Sequence, residues 1–324
     1  MSILNALTVD VEDWFHVSLF RNNISRSDWG SLEQTVVGNT LRILHIFAKH
    51  NTKATFFILG WVAEKFPEIV VAIKEQGHEV ASHGYMHQVV FEQTPDQFYD
   101  DVKRSIDILE DITGEKVYGY RAPSYSITRA SLWAIEKLIE LGLEYDSSVF
   151  PIKHDLYGIA DAPRFPFNMA VASKGKIIEF PISTTSILNK NIPIAGGGYL
   201  RLYPYWFFKR GIQRVNSEGR PSIIYFHPWE IDPQIPRIKI GKMKHLRHYG
   251  NLALMEGRIV KLLETFQFGT VHQVLKNMTV DDFWPSVTMD DKSSSGYINS
   301  YIESQDPAES PEDSVTSVSL VAKS

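Results

Sequence analysis

The amino-acid sequence predicts an α/β fold with a parallel sheet, closed as a barrel rather than left open. Three observations carry that expectation. Short β-branched or aromatic runs alternate with amphipathic helical stretches through most of the 324 residues. Glycine stands just beyond several of the helical stretches, where a left-handed cap is wanted. Hydrophobic residues make up 44% of the chain and charged residues 22%, an ordinary globular balance at a length ample for a sizeable core.

In chain order, Ile3 to Val9 reads as a first buried strand. Thr35 to His50 carries Val37, Leu41, Leu44 and Phe47 at the spacing of one helix face. Ala54 to Leu59 has the β-branched and aromatic composition of a central parallel strand. Trp61 to Gln76 reads as a helix with Gly77 at its C-cap, and His78 to Ala81 as a short strand. Asp96 to Thr113 is an amphipathic helix closed by Gly114, and Val117 to Tyr120 the next strand. Thr128 N-caps a helix running to Leu141, closed by Gly142. Lys153 to Lys176 is irregular and contains proline, which breaks the alternation. Ile177 to Phe180 resumes as a strand, and Gly196-Gly197-Gly198 reads as a flexible loop without a phosphate-binding fingerprint. Pro204 to Ser217 is helical, Ser222 to Phe226 a strand, and Leu246 to Phe266 one long helix. Residues 285–324 are rich in Ser, Asp, Glu and Pro and poor in large apolar side chains, so they read as an acidic, disordered tail.

The formal net charge is −5. Lys292 and Lys323 against Asp290, Asp291, Glu303, Asp306, Glu309, Glu312 and Asp313 place all of it in the tail. A neutral body gives no electrostatic reason to expect nucleic acid as a partner. The chain has no cysteine, which excludes disulfides and thiolate metal sites. The first residues lack a basic segment followed by an apolar run, and no window approaches the ~18 apolar residues of a membrane-spanning helix, so the expectation is no transmembrane segment and a cytoplasmic location.

Ligands in such folds sit at the C-terminal ends of the strands. Those ends here read Asp10-Val11-Glu12-Asp13, Ser82-His83-Gly84-Tyr85-Met86-His87, Arg121-Ala122-Pro123-Ser124-Tyr125 and Phe226-His227-Pro228-Trp229-Glu230. Two imidazoles four residues apart share one face of a helical turn and can bind one cation. With one carboxylate they leave a coordination position open for water, the pattern of a catalytic zinc-type site. Metal-assisted hydrolysis also needs a second acid as proton acceptor, and Asp10, Glu12 and Asp13 are on offer for the two roles. Arg121 beside a carboxylate would hold its geometry and keep it ionised. His227 has a pKa suited to protonating a leaving amine. The basic run Arg237, Lys239, Lys242, Lys244, His245, Arg247 and His248 reads as a solvated loop or an internal clamp, with contact to an anionic polymer as the alternative.

These motifs, in this order, resemble the polysaccharide deacetylases of carbohydrate esterase family four. The branch associated with exosortase systems and exopolysaccharide clusters is the more specific resemblance, through Asp10 to Phe15, His227 to Asp232 and Arg247 to Asn251. The resemblance implies a distorted (β/α) barrel of about seven strands. It implies one catalytic domain over residues 1–284, with 230–284 as a family-specific extension. It implies Asp10 as general base, Arg121 as its orienter, His227 as general acid, and His83 and His87 as ligands of one divalent metal ion, zinc. The family's two acids are adjacent, whereas Val11 follows Asp10 here. The third ligand is therefore Asp13, which has the usual residue type, or alternatively Glu12, which shares Asp10's side of an extended strand. Tyr125, with its backbone near the oxyanion, Trp229 and Glu230 fall to substrate binding, and Tyr199 is a further aromatic for stacking on a sugar. The implied activity is removal of N-acetyl groups from N-acetylhexosamine units of an exopolysaccharide or its lipid-linked precursor. The alternatives are an allantoinase-like amidohydrolase of small molecules and a glycan-binding protein without catalysis. A serine hydrolase is disfavoured, since no Gly-x-Ser-x-Gly elbow occurs.

Overall fold

Parallel pairing dominates the sheet because most of its strands are followed by helices or long connections that cross its face before the next strand begins. The computed structural model describes residues 3–154, 157–171, 174–278, 284–289 and 298–301. The first half comprises β1 (Leu4–Val11), α1 (Val36–Lys49), β2 (Thr55–Ile58), α2 (Gly60–Lys65), α3 (Pro67–Glu75), β3 (Glu79–Ser82), α4 (Pro95–Thr113), β4 (Gly119–Tyr120), α5 (Trp133–Glu140) and β5 (Tyr145–Asp146). There follow β6 (Phe167–Val171), β7 (Gly175–Glu179), the hairpin β8 (Thr184–Ile187) and β9 (Lys190–Pro193), α6 (Gly198–Leu202), α7 (Tyr205–Ser217) and β10 (Ile223–Phe226). Last come α8 (Lys242–Tyr249), α9 (Leu252–Thr265), β11 (Gln267–Gly269), α10 (Val271–Lys276), β12 (Trp284–Met289) and β13 (Ile298–Tyr301).

Seven strands pair in parallel in the order β10-β1-β2-β3-β4-β5-β7, and β6, β12 and β13 extend the sheet beyond β7. The result is a mostly parallel α/β fold of barrel-like form. Among the described residues no ladder joins β10 to β7, so the barrel is open there. Strand alternation divides the apolar residues into two layers. Leu7, Val9 and Val11 of β1, with Phe56, Ile58, Ile224 and Phe226, face the helices in the large outer core. Ala6, Phe57, Ala81, Tyr145, Ile223 and Tyr225 face the lumen and pack with Tyr125 and Phe150. The same alternation turns Thr8 and Asp10 inward.

Several elements differ from expectation for identifiable reasons. The helix expected from Trp61 to Gln76 breaks at Phe66 (φ −134°, ψ 60°), because the ring of Pro67 disfavours a helical residue before it. The helix expected from Leu246 to Phe266 divides at Gly250 and Asn251, the latter left-handed at φ 58°. On α1 the buried face is Val36, Asn39, Thr40, Ile43, Leu44 and Phe47, while Leu41 points outward. The stretch expected to be irregular, Lys153 to Lys176, contains β6, antiparallel to β7.

Gly196 is not part of a flexible loop. Ala195 and Gly197 bond to Tyr225 of β10 and cover its free edge, and a Cβ on Gly196 (φ 145°) would lie 1.7 Å from the Tyr225 carbonyl oxygen. Only glycine fits there. The disordered tail expected from 285 lies mostly outside the described residues, within which Trp284–Met289 and Ile298–Tyr301 are strands. No helix among the described residues is long and apolar enough to cross a membrane.

Candidate active site

Five of the parallel strands deliver polar residues to one end of the lumen: β1 with Asp10 and Glu12, β3 with His83, β4 with Arg121, β5 with Asp146 and Ser147, β10 with His227. Burial there would be costly for isolated charges, and the structure pairs nearly every one.

Glu12, His83 and His87 are buried together, one ligand atom from each lying within 4.8 Å of the others. Glu12 Oε2 is 2.8 Å from His87 Nε2. The His83 ring donates from Nδ1 to the Arg121 carbonyl at 2.7 Å, which fixes the tautomer and leaves Nε2 with a free lone pair. Burial pushes the His83 pKa down to about 4, so the ring is neutral as a ligand must be. Burial works against the charge on Glu12, yet His87 and His227 hold its carboxyl well below the usual range. Two neutral-capable imidazoles and one ionised carboxylate form a donor set that fits a divalent cation.

The His83–His87 spacing does not work through a helical turn. Residues 83 to 89 form a loop, with Gly84 at φ 73° and His87 at φ 48°. The loop is clamped by Asp101, which accepts the Tyr85 and Met86 amides at 2.7 and 3.2 Å. A Cβ at Gly84 would meet Asp101 Oδ2 at 2.8 Å.

Asp13, expected as the metal carboxylate, is elsewhere. Its oxygens accept the amides of Trp14, Thr35 and Val36 and the Thr35 hydroxyl, at 2.7 to 3.0 Å. It caps the start of α1 and has no capacity left for a cation. Glu12 stands in the position given to it as the alternative, two residues along the strand from Asp10.

Arg121 is completely buried and donates from Nη1 to Asp10 Oδ1 at 2.6 Å and to Thr8 Oγ1 at 2.7 Å. Its other nitrogens reach the carbonyl and hydroxyl of Ser147 at 3.2 and 3.0 Å. Its guanidinium lies over the Phe57 ring at 4.1 Å. The free Asp10 oxygen, Oδ2, is 3.9 Å from His227 Nε2.

His227 Nδ1 donates to Glu230 at 3.0 Å, and its Nε2 lies 3.6 Å from Glu12. Burial opposes charge on this ring, but Glu12, Glu230 and Asp10 prevail and raise its pKa to about 9. Glu230 is not placed for substrate. It is fully buried between His227 and Arg201, whose Nε donates to it at 2.5 Å. Arg201 in turn holds the Gly250 and Arg247 carbonyls at 2.8 and 2.9 Å. Trp229 is likewise covered on both faces, stacked on His227 (5.3 Å) and His248 (4.4 Å), with its indole nitrogen 3.4 Å from Glu12. Both expected substrate contacts are therefore supports of His227 and Glu12. Tyr125 packs in the lumen against Tyr225 at 5.0 Å, and its amide is already bonded to the Ala122 carbonyl. Ser124 and Tyr125 both sit left-handed, at φ 56° and 53°.

A cavity of about 580 Å³ opens beside this group, lined by Ser124, Tyr157, Tyr199, Tyr225, Arg247 and His248 among others. Arg201, Ser147 and His248 had escaped the sequence reading as site residues. Ser147 had a usable signal, as the residue after a strand ending in Asp146; Arg201 had none, since only the fold brings it to Glu230.

Below Arg121, Asp146 and Glu179 are fully buried at β5 and β7, where Ser148 donates to Asp146 at 2.5 Å and the Val149 amide to Glu179 at 2.9 Å. Burial raises Asp146 to about 6 and, together with Asp146, raises Glu179 well above its ordinary value. Raised carboxyl pKa values stabilise the fold fully at low pH, and that contribution is lost as pH rises through about 6. Glu179→Gln keeps an acceptor for Val149 and adds a donor toward Asp146. It should stabilise the protein by roughly 2 kcal/mol at neutral pH relative to pH 4. Urea unfolding of both proteins across this range checks it; equal gains at both pH values would contradict a raised carboxyl pKa as the source of the effect.

Comparison with known proteins adds sequence kinship to this geometry. Residues 28–144 match the polysaccharide deacetylase family model, and residues 147–276 match a domain of unknown function (DUF3473). A peptidoglycan deacetylase of Helicobacter pylori is 34% identical over 108 residues, 33% of this chain and 36% of the relative. A peptidoglycan-N-acetylglucosamine deacetylase of Bacillus cereus is 36% identical over 99 residues, 30% of this chain and 36% of the relative. The chain thus matches little more than a third of the length of either. A Mycobacterium smegmatis crystal structure, provisionally assigned as a polysaccharide deacetylase, superposes with a TM-score of 0.57 at 19% identity, covering 88% of this chain and 92% of that one. That likeness shows a shared fold.

Proposed function

We propose, from the polysaccharide deacetylase match of residues 28–144 and the chemistry of the strand ends, that the chain is a metal-dependent hydrolase removing N-acetyl groups from N-acetylhexosamine units of a polysaccharide. The observation that carries the reading is the adjacency of three sets: Glu12 with His83 and His87, Asp10 with Arg121, and His227 with Glu230. Glu12, His83 and His87 would hold one divalent cation, zinc suiting two imidazoles and a carboxylate. When bound, that ion supplies Lewis acidity toward the acetamide carbonyl and toward water. Asp10, held in place by the Arg121 guanidinium at 2.6 Å, accepts the proton of the attacking water. His227, oriented by Glu230 and through it by Arg201, delivers a proton to the departing sugar amine. Tyr199 and Tyr157 in the cavity beside the site suit the faces of sugar rings.

The finer reading, an exopolysaccharide or its lipid-linked precursor as substrate, is supported by the likeness of Asp10 to Phe15 and His227 to Asp232 to the exopolysaccharide-associated branch. One catalytic domain over 1–284 is supported by how far the later residues reach into the site, with the Arg247 and Gly250 carbonyls on Arg201 and His248 on Trp229. Acetate release from N-acetylglucosamine oligomers by the zinc-loaded protein is the direct test. About one metal per chain is expected, lost in His83→Ala. Failure of the reconstituted parent to retain any divalent ion, or activity confined to small cyclic amides, would remove the proposal.

A further inference from the structure

A groove of about 620 Å³ lies away from the catalytic group, between the β8–β9 hairpin and α7, walled by Ile187, Trp206 and Phe207 with Arg210 and Arg214 alongside. The hairpin turn is the two-residue pair Leu188-Asn189, both left-handed at φ 50° and 58°. Such turns favour Asn-Gly, and a leucine there pays a backbone cost. Packing does not offset it, since Leu188 is 92% exposed. Trp206, on the first turn of α7, is 66% exposed. Within the hairpin and α7 the charge is of one sign. From Phe180 to Ser217 the sequence contains no Asp or Glu but five basic residues. Arg201 is committed to Glu230, and Arg214 lies 4.0 Å from Glu218. No carboxylate pairs with Lys190, Lys209 or Arg210 among the described residues.

The geometry points to this face as a docking surface for an anionic lipid bilayer, with Leu188 and Trp206 entering the headgroup boundary and Lys190, Lys209 and Arg210 meeting lipid phosphates. Single bulky side chains on a turn tip and a helix end, ringed by unpaired cations, suit insertion among lipids. A protein partner would instead want a contiguous packed patch. The surface also connects to the cavity at the strand ends. Trp206 meets Phe207 at 5.9 Å, Phe207 meets Tyr203 at 5.3 Å, and Tyr203 meets Tyr199, which lines that cavity, at 5.6 Å. Docking by this face would bring the cavity within a few side chains of the bilayer.

Flotation of the full chain with phosphatidylcholine vesicles, with and without phosphatidylglycerol, tests the inference. Binding is expected only with phosphatidylglycerol and should fall as salt is raised. Arg210→Ala should weaken it about fivefold. Leu188→Ser with Trp206→Ser should weaken it more than about tenfold. Both side chains are exposed, so thermal unfolding of that double variant should match the parent. Equal flotation with both vesicle types, or full binding by the double variant, would overturn the proposal. So would a self-associated parent that the double variant dissociates, without vesicle binding by either, since that assigns the face to a second copy of the chain. The assay contains no glycan, so it stands or falls separately from the hydrolase reading, and the double variant should keep acetate release from soluble oligomers.

Discussion

On the proposed reading, Asp10→Asn should lower acetate release roughly a thousandfold while bound zinc stays at the parental level. General-base catalysis contributes about 10²–10⁴-fold, and an amide cannot take up the proton. The substitution is nearly isosteric, so the carboxamide oxygen of the variant can still accept from Arg121 Nη1, as Asp10 does at 2.6 Å. The loss of charge leaves the buried guanidinium without its carboxylate, though Thr8 and Ser147 still bond it. Some loss of stability is therefore expected and should be measured alongside turnover, to separate an inactive site from an unfolded one. Near-normal turnover would remove Asp10 from the proton path. Loss of zinc together with activity would make it a ligand instead.

The second large effect divides Glu12 from Asp13. Glu12→Gln should weaken zinc binding by more than roughly hundredfold, since even residues that only orient ligands are worth 10- to 100-fold. Asp13→Ala should bind zinc normally and instead cost about 2 kcal/mol of folding stability, because three donors at the start of α1 and the Trp14 amide lose their acceptor. Metal analysis after dialysis and urea unfolding read the two outcomes. The reverse pattern, zinc lost from Asp13→Ala and kept by Glu12→Gln, would move the ligand one residue along the chain.

These two acids also show where sequence reasoning reached and where it stopped. Placing chemistry at the strand ends required only that βα alternation gives a parallel sheet, and Asp10, His83, Arg121 and His227 do gather at one end. Choosing between Glu12 and Asp13 required knowing how the chain turns after Val11. In the strand's continuation Glu12 stays on the lumen side with Asp10, and Asp13 turns to the helix it caps. Residue type favoured Asp13, and side-chain alternation favoured Glu12; geometry followed alternation. Trp229 and Glu230 were placed with the substrate because they follow His227 directly. A short 3-10 helix, Pro228–Ile231, instead folds them beneath it, and the partners that hold them there, Arg201 and His248, lie 29 and 19 residues distant from Glu230 and Trp229. Sequence spacing carries no signal for contacts of that kind. The helix breaks before Pro67 and at Gly250 were missed although residue type carries a signal for both, whereas the strand β6 within an apparently irregular stretch has none, because its partner β7 supplies the pairing that its own composition lacks.

The cover over β10 has a consequence for solubility. An open barrel exposes the backbone of its last strand, and a bare strand edge recruits other chains into intermolecular sheets. Ala195 to Gly197 occupies that row of donors and acceptors from within the same molecule, at a point where any side chain would collide with Tyr225. The glycine run thus guards against aggregation at the seam where the barrel fails to close.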